Sequence, residues 1–254
     1  MRRAFKKIIR FGYNSPEKTN RNLNYIRDTE WNSIKRNIKP SASFLDVGCG
    51  TGYSMKRAIE ELGCTTVGID PQPMVAGVKI DVVESHKFKI IKGVGENLPF
   101  QNETFDVVFS SHVLEHVENP VKVLQEVNRV LKKDGTLIMG VPTATLAWIG
   151  LSSHLLFTSH IRIARYIAGM FTSVRKTKFK HIFIPYSHSN ENQTVLSDIR
   201  NYKIIRWRIL IEKEFQINEE VLPLLYGFAE FKSPFNMKKY SKISSSVFFI
   251  CKRK

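Results

Sequence analysis

Cysteine is scarce in this sequence, and no apolar run in it is long enough to cross a membrane. The three cysteines, Cys49, Cys64 and Cys251, are too few for a disulfide framework. No apolar segment of the kind found in a secretory signal follows the charged start. The most apolar segment, 144–157, is shorter than the roughly 20 residues that a spanning helix needs. We therefore predict a cytoplasmic protein, with any membrane contact peripheral and on the inner face.

Acidic residues are sparse at both ends of the chain. The net charge is +16, and it divides into +8 for residues 1–40, −3 for residues 41–142 and +11 for residues 143–254. Basic flanks around a slightly acidic centre favour a polyanionic partner, such as phospholipid headgroups, a phosphorylated lipid carrier or nucleic acid. A solvated basic surface without such a partner is the alternative.

A glycine-rich turn organises the centre of the chain. An apolar run that ends at Asp46 meets Gly48, Gly50 and Gly52, and a helical segment follows. Glycines let a ligand approach the backbone, and the N-terminus of the following helix favours an anionic group. A second apolar run ends at Asp70, about 20 residues further on, where a carboxylate can hold both hydroxyls of a ribose. Turn and acid together predict a nucleotide-type cofactor.

The segment 41–142 alternates strands and helices, which predicts an α/β fold with a doubly wound, mostly parallel Rossmann-like sheet. Strands are expected at 43–48, 64–69, 88–91, 104–110 and 137–141. A helix should start at Asn119 and Pro120 and stop at Gly135. Further along the chain, the pattern predicts one helix over 198–214 and a pair of edge strands at 217–222 and 244–251.

Four parts follow from this pattern. Residues 1–40 are predicted to form a basic arm and a helix, and residues 41–142 the cofactor-binding core. Residues 143–190 form an insert after the fifth strand, and residues 191–254 supply a helix and edge strands that complete the sheet.

The motifs of the core resemble those of class I S-adenosylmethionine-dependent methyltransferases. The run from Leu45 to Gly52 resembles the family's first motif, with Tyr53 where a dehydrogenase fingerprint would place its last glycine. Later blocks follow in the family's order: Val67-Gly68-Ile69-Asp70, Glu96-Asn97-Leu98-Pro99-Phe100, Phe105-Asp106-Val107-Val108, Val113-Leu114-Glu115-His116-Val117 and Leu131-Lys132-Lys133-Asp134-Gly135. The ubiquinone/menaquinone-type branch of small-molecule enzymes (methyltransferase type 11-like) is the most similar. The resemblance covers about residues 41–142 and implies the seven-stranded methyltransferase fold with a cap inserted after the fifth strand.

The resemblance also implies S-adenosylmethionine as the cofactor. It places Asp46 and the turn glycines along the methionine moiety and Asp70 at the ribose. It places Gly95 and Glu96 beside the adenine. Ser110 and Ser111 are expected to face the methionine end. The expected cofactor contacts are Asp46, Gly48, Gly50, Gly52, Asp70, Gly95, Glu96, Ser110 and Ser111. Val94 departs from the family pattern, which has an aspartate that accepts from the adenine amino group. The backbone of Gly95 is therefore expected to take a larger part.

Three interpretations compete at the end of the fourth strand, on the ligand-binding edge of such a sheet. In the first, His112 lines the acceptor site as a general base, while Glu115 and His116 orient the loop. In the second, Glu115 and His116 bind a divalent metal, as the resemblance implies for ubiquinone-type enzymes. In the third, residues 112–116 form a zinc-peptidase motif of the pattern His-x-x-Glu-His. The surrounding methyltransferase blocks argue against this interpretation. The candidate catalytic residues are thus His112 and His116.

Nucleic acid is disfavoured as the substrate, although the basic flanks of the chain would suit a polyanion. Exocyclic-amine methyltransferases carry an Asn/Asp-Pro-Pro-aromatic turn after the fourth strand, where this chain has Ser110-Ser111-His112-Val113. The cysteine nucleophile of C5-pyrimidine enzymes is missing from that region, and the flanks contain no recognisable RNA-binding module. An RNA methyltransferase and a non-catalytic S-adenosylmethionine-binding protein remain the alternatives.

The insert after Pro142 has two interpretations. Its apolar part, 144–157, contains Trp148 and precedes a basic stretch over 160–180, which fits a helix lying in an anionic membrane interface. A lid or cap that closes over the substrate is slightly favoured, and the two can coexist if the substrate is a lipid. We predict methyl transfer to a small or lipid-linked acceptor, at oxygen, with the acceptor's identity and the oligomeric state left open.

Overall fold

The computed structural model describes residues 13–75, 86–160, 162–163, 166–167, 183–189, 192–229, 233, 237–240 and 242–254. The chain divides into two compact units. The sheet unit comprises Arg27–Pro142, Ile204–Pro223 and Ser246–Lys254, and the insert unit comprises Met1–Ile26, Thr143–Lys203 and Leu224–Ser245. Much of the predicted basic stretch over 160–180 lies outside the described residues, as do residues 76–85.

The sheet unit is organised around seven strands in the order β3-β2-β1-β4-β5-β7-β6. The strands are β1 Ser43–Val47, β2 Thr65–Asp70, β3 Phe88–Lys92, β4 Phe105–Ser111, β5 Leu131–Pro142, β6 Phe215–Val221 and β7 Ser246–Arg253. The first five strands pair in parallel, and β7 runs antiparallel to β5 and β6. This arrangement confirms the predicted doubly wound, mostly parallel sheet and its completion by the two C-terminal strands.

Helices flank the sheet and continue into the insert unit. They are α1 Pro16–Ile34, a 3₁₀ turn Lys35–Asn37, α2 Tyr53–Leu62, α3 Pro120–Val130, α4 Ala144–Ser153, a π-helical turn His154–Thr158, α5 Val195–Asn201 and α6 Ile204–Ile211. None of the helices that the structure describes is long and apolar enough to cross a membrane.

Aromatic side chains hold the middle of the sheet. Phe44 of β1 stacks on Phe109 of β4 with ring centroids 5.9 Å apart, and Phe109 stacks on Phe248 of β7 at 6.3 Å. Trp31 and Ile34 of α1 belong to the same buried cluster. The last turns of α1 are thereby anchored beside the strand ends.

The start of α3 is as predicted, and its end is not. Asn119 caps the helix by accepting a hydrogen bond from the Lys122 amide, but the helix ends at Val130 rather than at Gly135. The reason is that fully buried Leu131 already pairs with Phe105 as part of β5.

The predicted helix over 198–214 is also wrong as a single element. The structure has α5 and α6 instead, separated at Tyr202 and Lys203. Buried Tyr202 ends α5 and donates its amide to the Asp198 carbonyl. Apolar residues recur at helical spacing through both helices, and for this reason the sequence pattern resembled one continuous helix.

Candidate active site

A cavity of about 340 Å³ opens at the carboxyl ends of β1, β2 and β4 in the sheet unit. Parallel α/β sheets bind ligands at this edge, because the loops after the strands converge there. Seven of the residues predicted from the sequence line the cavity: Asp46, Gly48, Gly50, Asp70, Ser111, His112 and His116. The turn, the acid and the histidine loop are therefore parts of one site.

The glycine turn has the backbone that its sequence predicts. Gly48, Gly50 and Gly52 have φ of 76°, 53° and 83°, a region that side chains rarely adopt. A Cβ on Gly48 would lie 2.2 Å from a methyl carbon of Val113. The turn thus depends on glycine for its conformation and for the approach of the loop after β4.

Asp70 ties the turn to the second strand. One of its carboxylate oxygens accepts from the Gly50 amide at 2.9 Å, and the other accepts from the Gln72 amide at 2.7 Å. A carboxylate oxygen can accept more than one hydrogen bond, so both oxygens keep capacity for a pair of ligand hydroxyls. This geometry suits the ribose contact predicted for Asp70.

Asp46 is a buried carboxyl group at the base of the cavity. It is 3% exposed, and burial together with the charge of Asp70 raises its pKa to about 8, against the opposing charge of Arg27. A cationic ligand group beside Asp46 would restore its ionised form. Asp46, Asp70 and the open turn therefore fit the amino group and ribose of S-adenosylmethionine.

Other predicted contacts do not line the cavity among the described residues. Ser110 donates its hydroxyl to the Val47 carbonyl at 3.0 Å and so bridges β4 and β1. Gly95 is packed against Val47 and Val123, with 3.1 Å and 3.3 Å available to a Cβ. The remaining residues of this group are Gly52, Glu96 and Glu115.

His112 lies between two buried carboxylates. Its Nε2 is 3.3 Å from Glu30 Oε1, and its Nδ1 is 3.5 Å from Glu115 Oε1. Burial and the charge of Arg27 lower the pKa of His112, but the contacts with Glu115 and Glu30 outweigh them and raise it. His112 is therefore biased toward its protonated form, and it can accept a proton only above this raised pKa.

Glu30 is a site residue that the sequence analysis missed. It lies on α1, lines the cavity, is 2% exposed and accepts from Arg27 at 2.7 Å and from Ser246 at 2.8 Å. Burial alone would raise its pKa, but Arg27 and His112 hold it well below the usual range. Its position midway between buried Ile26 and Ile34, at a spacing of four residues, was the available signal.

Glu115 and His116 are adjacent in space as well as in sequence. Glu115 Oε1 lies 3.9 Å from His116 Nε2, and the side chain of Glu115 is fully buried while that of His116 is 41% exposed. Burial opposes ionisation of Glu115, but His112 and His116 hold its pKa below the ordinary value. Together they offer a metal ion one carboxylate and one imidazole, and the metal site stays a prediction.

Comparison with known proteins identifies the core. A family model described as a methyltransferase domain matches residues 45–139, the segment that carries the turn, the acid and the histidine loop. This segment is a class I S-adenosylmethionine-dependent methyltransferase domain. The assignment confirms the resemblance at the level of the class, the fold and the cofactor, and the ubiquinone/menaquinone-type branch stays a prediction.

Relatives of the methyltransferase domain match it over part of their length. The uncharacterized protein MJ1123 of Methanocaldococcus jannaschii is 35% identical over 116 residues, which are 46% of this chain and 52% of that protein. A tRNA U34 carboxymethyltransferase of Shewanella piezotolerans is 36% identical over 118 residues, which are 44% of this chain and 36% of that protein. The chain thus spans about half or less of these relatives.

Solved methyltransferase structures share the fold over most of the chain. One from Listeria monocytogenes has a TM-score of 0.56 at 19% identity and covers 90% of this chain and 99% of its own. One from Thermotoga maritima has a TM-score of 0.53 at 19% identity and covers 93% of this chain and 91% of its own. At this identity the likeness shows the fold alone.

Proposed function

We propose that this protein transfers a methyl group from S-adenosylmethionine to a small or lipid-linked acceptor, at an oxygen atom. The observation that carries the proposal is the convergence of Asp46, Asp70 and His112 on one cavity. Two carboxyl groups there suit the cofactor, and an imidazole beside them suits an acceptor that must lose a proton.

The cofactor supplies the reactive methyl group and its leaving group, so the protein's part is to position the acceptor and to move its proton. An oxygen acceptor loses a proton as the methyl group moves to it. Both ring nitrogens of His112 face carboxylates, so the acceptor hydroxyl must replace Glu30 as the partner of Nε2 before neutral His112 takes its proton there. The charges of Glu30 and Glu115 then stabilise the imidazolium ion. Because the pKa of His112 is raised, the turnover rate should increase with pH through that pKa.

Radiolabelled methyl transfer tests the proposal. The protein is incubated with labelled S-adenosylmethionine and a whole-cell extract, which is then separated into lipid, nucleic acid and small-molecule fractions. We expect label in the lipid or small-molecule fraction, and we expect His112→Ala to lower the rate at least about 100-fold, which is typical of a lost acid–base group. Normal turnover of His112→Ala would rule out the base. A loss of label on chelation would support Glu115 and His116 as metal ligands.

RNA is the second candidate acceptor. It is supported by relatives that are named tRNA U34 carboxymethyltransferase and by the basic flanks of the chain, which suit phosphate backbones. Label in the nucleic acid fraction would support this candidate and contradict the small or lipid-linked acceptor. Binding of S-adenosylmethionine with label in no fraction would instead favour a non-catalytic cofactor-binding protein.

A further inference from the structure

One face of the insert unit exposes an unusual set of large apolar side chains. We call this face the insert ridge, and its members, with exposed fractions of 54%, 45%, 61%, 39% and 50%, are Trp148, Leu155, Leu156, Ile163 and Ile167. They begin on α4 and continue through the π-helical turn into residues that are also helical. Leu156, Ile163 and Ile167 follow one another at seven and four residues, the spacing of one helix side, and Leu155 adjoins Leu156 in the π-helical turn.

Two serine hydroxyls among these residues already have acceptors. Ser152 donates its hydroxyl to the Trp148 carbonyl at 2.9 Å, and Ser159 donates its hydroxyl to the Leu155 carbonyl at 2.8 Å. Both bonds stay within the helix, so neither hydroxyl needs water as its acceptor. Burying a satisfied hydroxyl costs far less than burying an unpaired one, which makes the insert ridge compatible with an apolar medium.

The sequence around the insert ridge carries charge of one sign. Between Asp134 and Glu191 the chain has no acidic residue. The same interval contains the basic residues Arg162, Arg165, Arg175, Lys176, Lys178 and Lys180. A second copy of the chain would bring a segment of the same positive sequence charge to the contact, whereas anionic lipid headgroups carry the opposite charge.

We propose that the insert ridge binds the surface of an anionic bilayer, with Trp148 and the leucines in the headgroup region and Arg162 against the lipid phosphates. Apolar burial and electrostatic attraction act together in such interfacial helices, and tryptophan favours that depth. The inference deepens the proposed function by placing the protein at the surface that would hold a lipid-linked acceptor, and it rests on that function only for this acceptor.

Vesicle sedimentation with a matched pair of variants tests the proposal. Leu155→Ser/Leu156→Ser removes apolar area from the insert ridge, while Ile205→Ser/Ile209→Ser removes side chains of similar exposure, 49% and 57%, from α6 of the sheet unit. We expect the full chain to bind vesicles of phosphatidylcholine and phosphatidylglycerol, and less so at high salt. The ridge variant should bind about tenfold more weakly, with the α6 variant unchanged.

Tryptophan fluorescence gives a second readout of the same contact. Trp31 and Trp207 are buried, and Trp148 is 54% exposed, so a blue shift on adding vesicles reports Trp148. The shift should appear with the mixed vesicles, be smaller with pure phosphatidylcholine and disappear in Trp148→Ala.

Three outcomes would overturn the membrane proposal. They are equal vesicle binding by the ridge and α6 variants, no binding by the wild type, and a wild-type dimer in sedimentation velocity that the ridge variant loses. Each measurement is made without cofactor, and the ridge variant should bind S-adenosylmethionine as the wild type does. Absence of vesicle binding therefore overturns the membrane proposal and does not contradict the proposed methyl transfer. A protein that binds vesicles but transfers no methyl group contradicts only the proposed methyl transfer.

Discussion

At the scale of single residues, the site is defined by carboxyl groups in two different states. Asp46 is buried near Asp70, and its pKa of about 8 keeps it mostly protonated at neutral pH. Glu30 is equally buried, but Arg27 and His112 hold its pKa well below the usual range, so it stays ionised. Charged neighbours, rather than burial alone, decide which group carries the negative charge.

Glu30 is expected to position and charge His112. Glu30→Gln removes a carboxylate 3.3 Å from Nε2, so the pKa of His112 should fall and the acid limb of the pH–rate profile should move to lower pH. Leaving Arg27 without its buried partner should also cost about 2 kcal/mol of folding free energy. NMR titration of His112 and thermal melts measure the two effects.

Glu17→Gln, an exposed change on the same helix, is the control for Glu30→Gln. It should change neither the pKa of His112 nor the folding free energy. The sign for stability follows from the raised pKa. His112 stabilises the wild type fully below its unfolded pKa of about 6.5, and this contribution is lost as the pH rises through the folded pKa. The stability deficit of Glu30→Gln should therefore shrink toward alkaline pH. An unchanged His112 titration in Glu30→Gln would contradict the positioning role.

At the scale of elements, the turn after β1 depends on one close approach. Gly48→Ala places a Cβ 2.2 Å from Val113 and at φ of 76°, which should cost about 2–4 kcal/mol from strain and overpacking together. Gly63→Ala has a similar φ of 68° but only an ordinary 3.7 Å contact with Ser41. It should therefore cost about 1 kcal/mol from backbone strain alone.

Urea melts and cofactor titrations of these two variants separate strain from the clash. Gly48→Ala should also weaken S-adenosylmethionine binding, and the double variant with Val113→Ala should recover part of the stability. Equal losses of stability for Gly48→Ala and Gly63→Ala would show that the approach of Val113 is not what selects glycine in the turn.

The elements were predictable where their signals are local. Strand–turn–helix order, the cap at Asn119 and the acid at Asp70 all depend on residues close in sequence, and the structure agrees with each. The end of α3 was not predictable, because the pairing of Leu131 with Phe105 competes with continued helix. The break at Tyr202 was hidden because both helices share one apolar period.

At the scale of the whole molecule, the part of the site that escaped prediction depends on long-range contacts. Glu30 meets His112 across 82 residues and Ser246 across 216 residues. Local spacing could mark Glu30 as buried, but only the completed sheet brings α1, β4 and β7 together. The sequence therefore predicts the part of the cavity around the glycine turn and Asp70 better than the part around Glu30.

Calorimetric titration with S-adenosylmethionine is the most direct test of the central claim that the cavity binds this cofactor. Wild type should bind at pH 7 with release of a proton from Asp46, so that the apparent enthalpy differs between two buffers of different ionisation enthalpy. Asp70→Asn should bind at least about tenfold more weakly, since it loses a charged acceptor. Asp134→Asn, an exposed change away from the cavity, should bind normally. No binding by the wild type, or equal binding by all three proteins, would contradict the account.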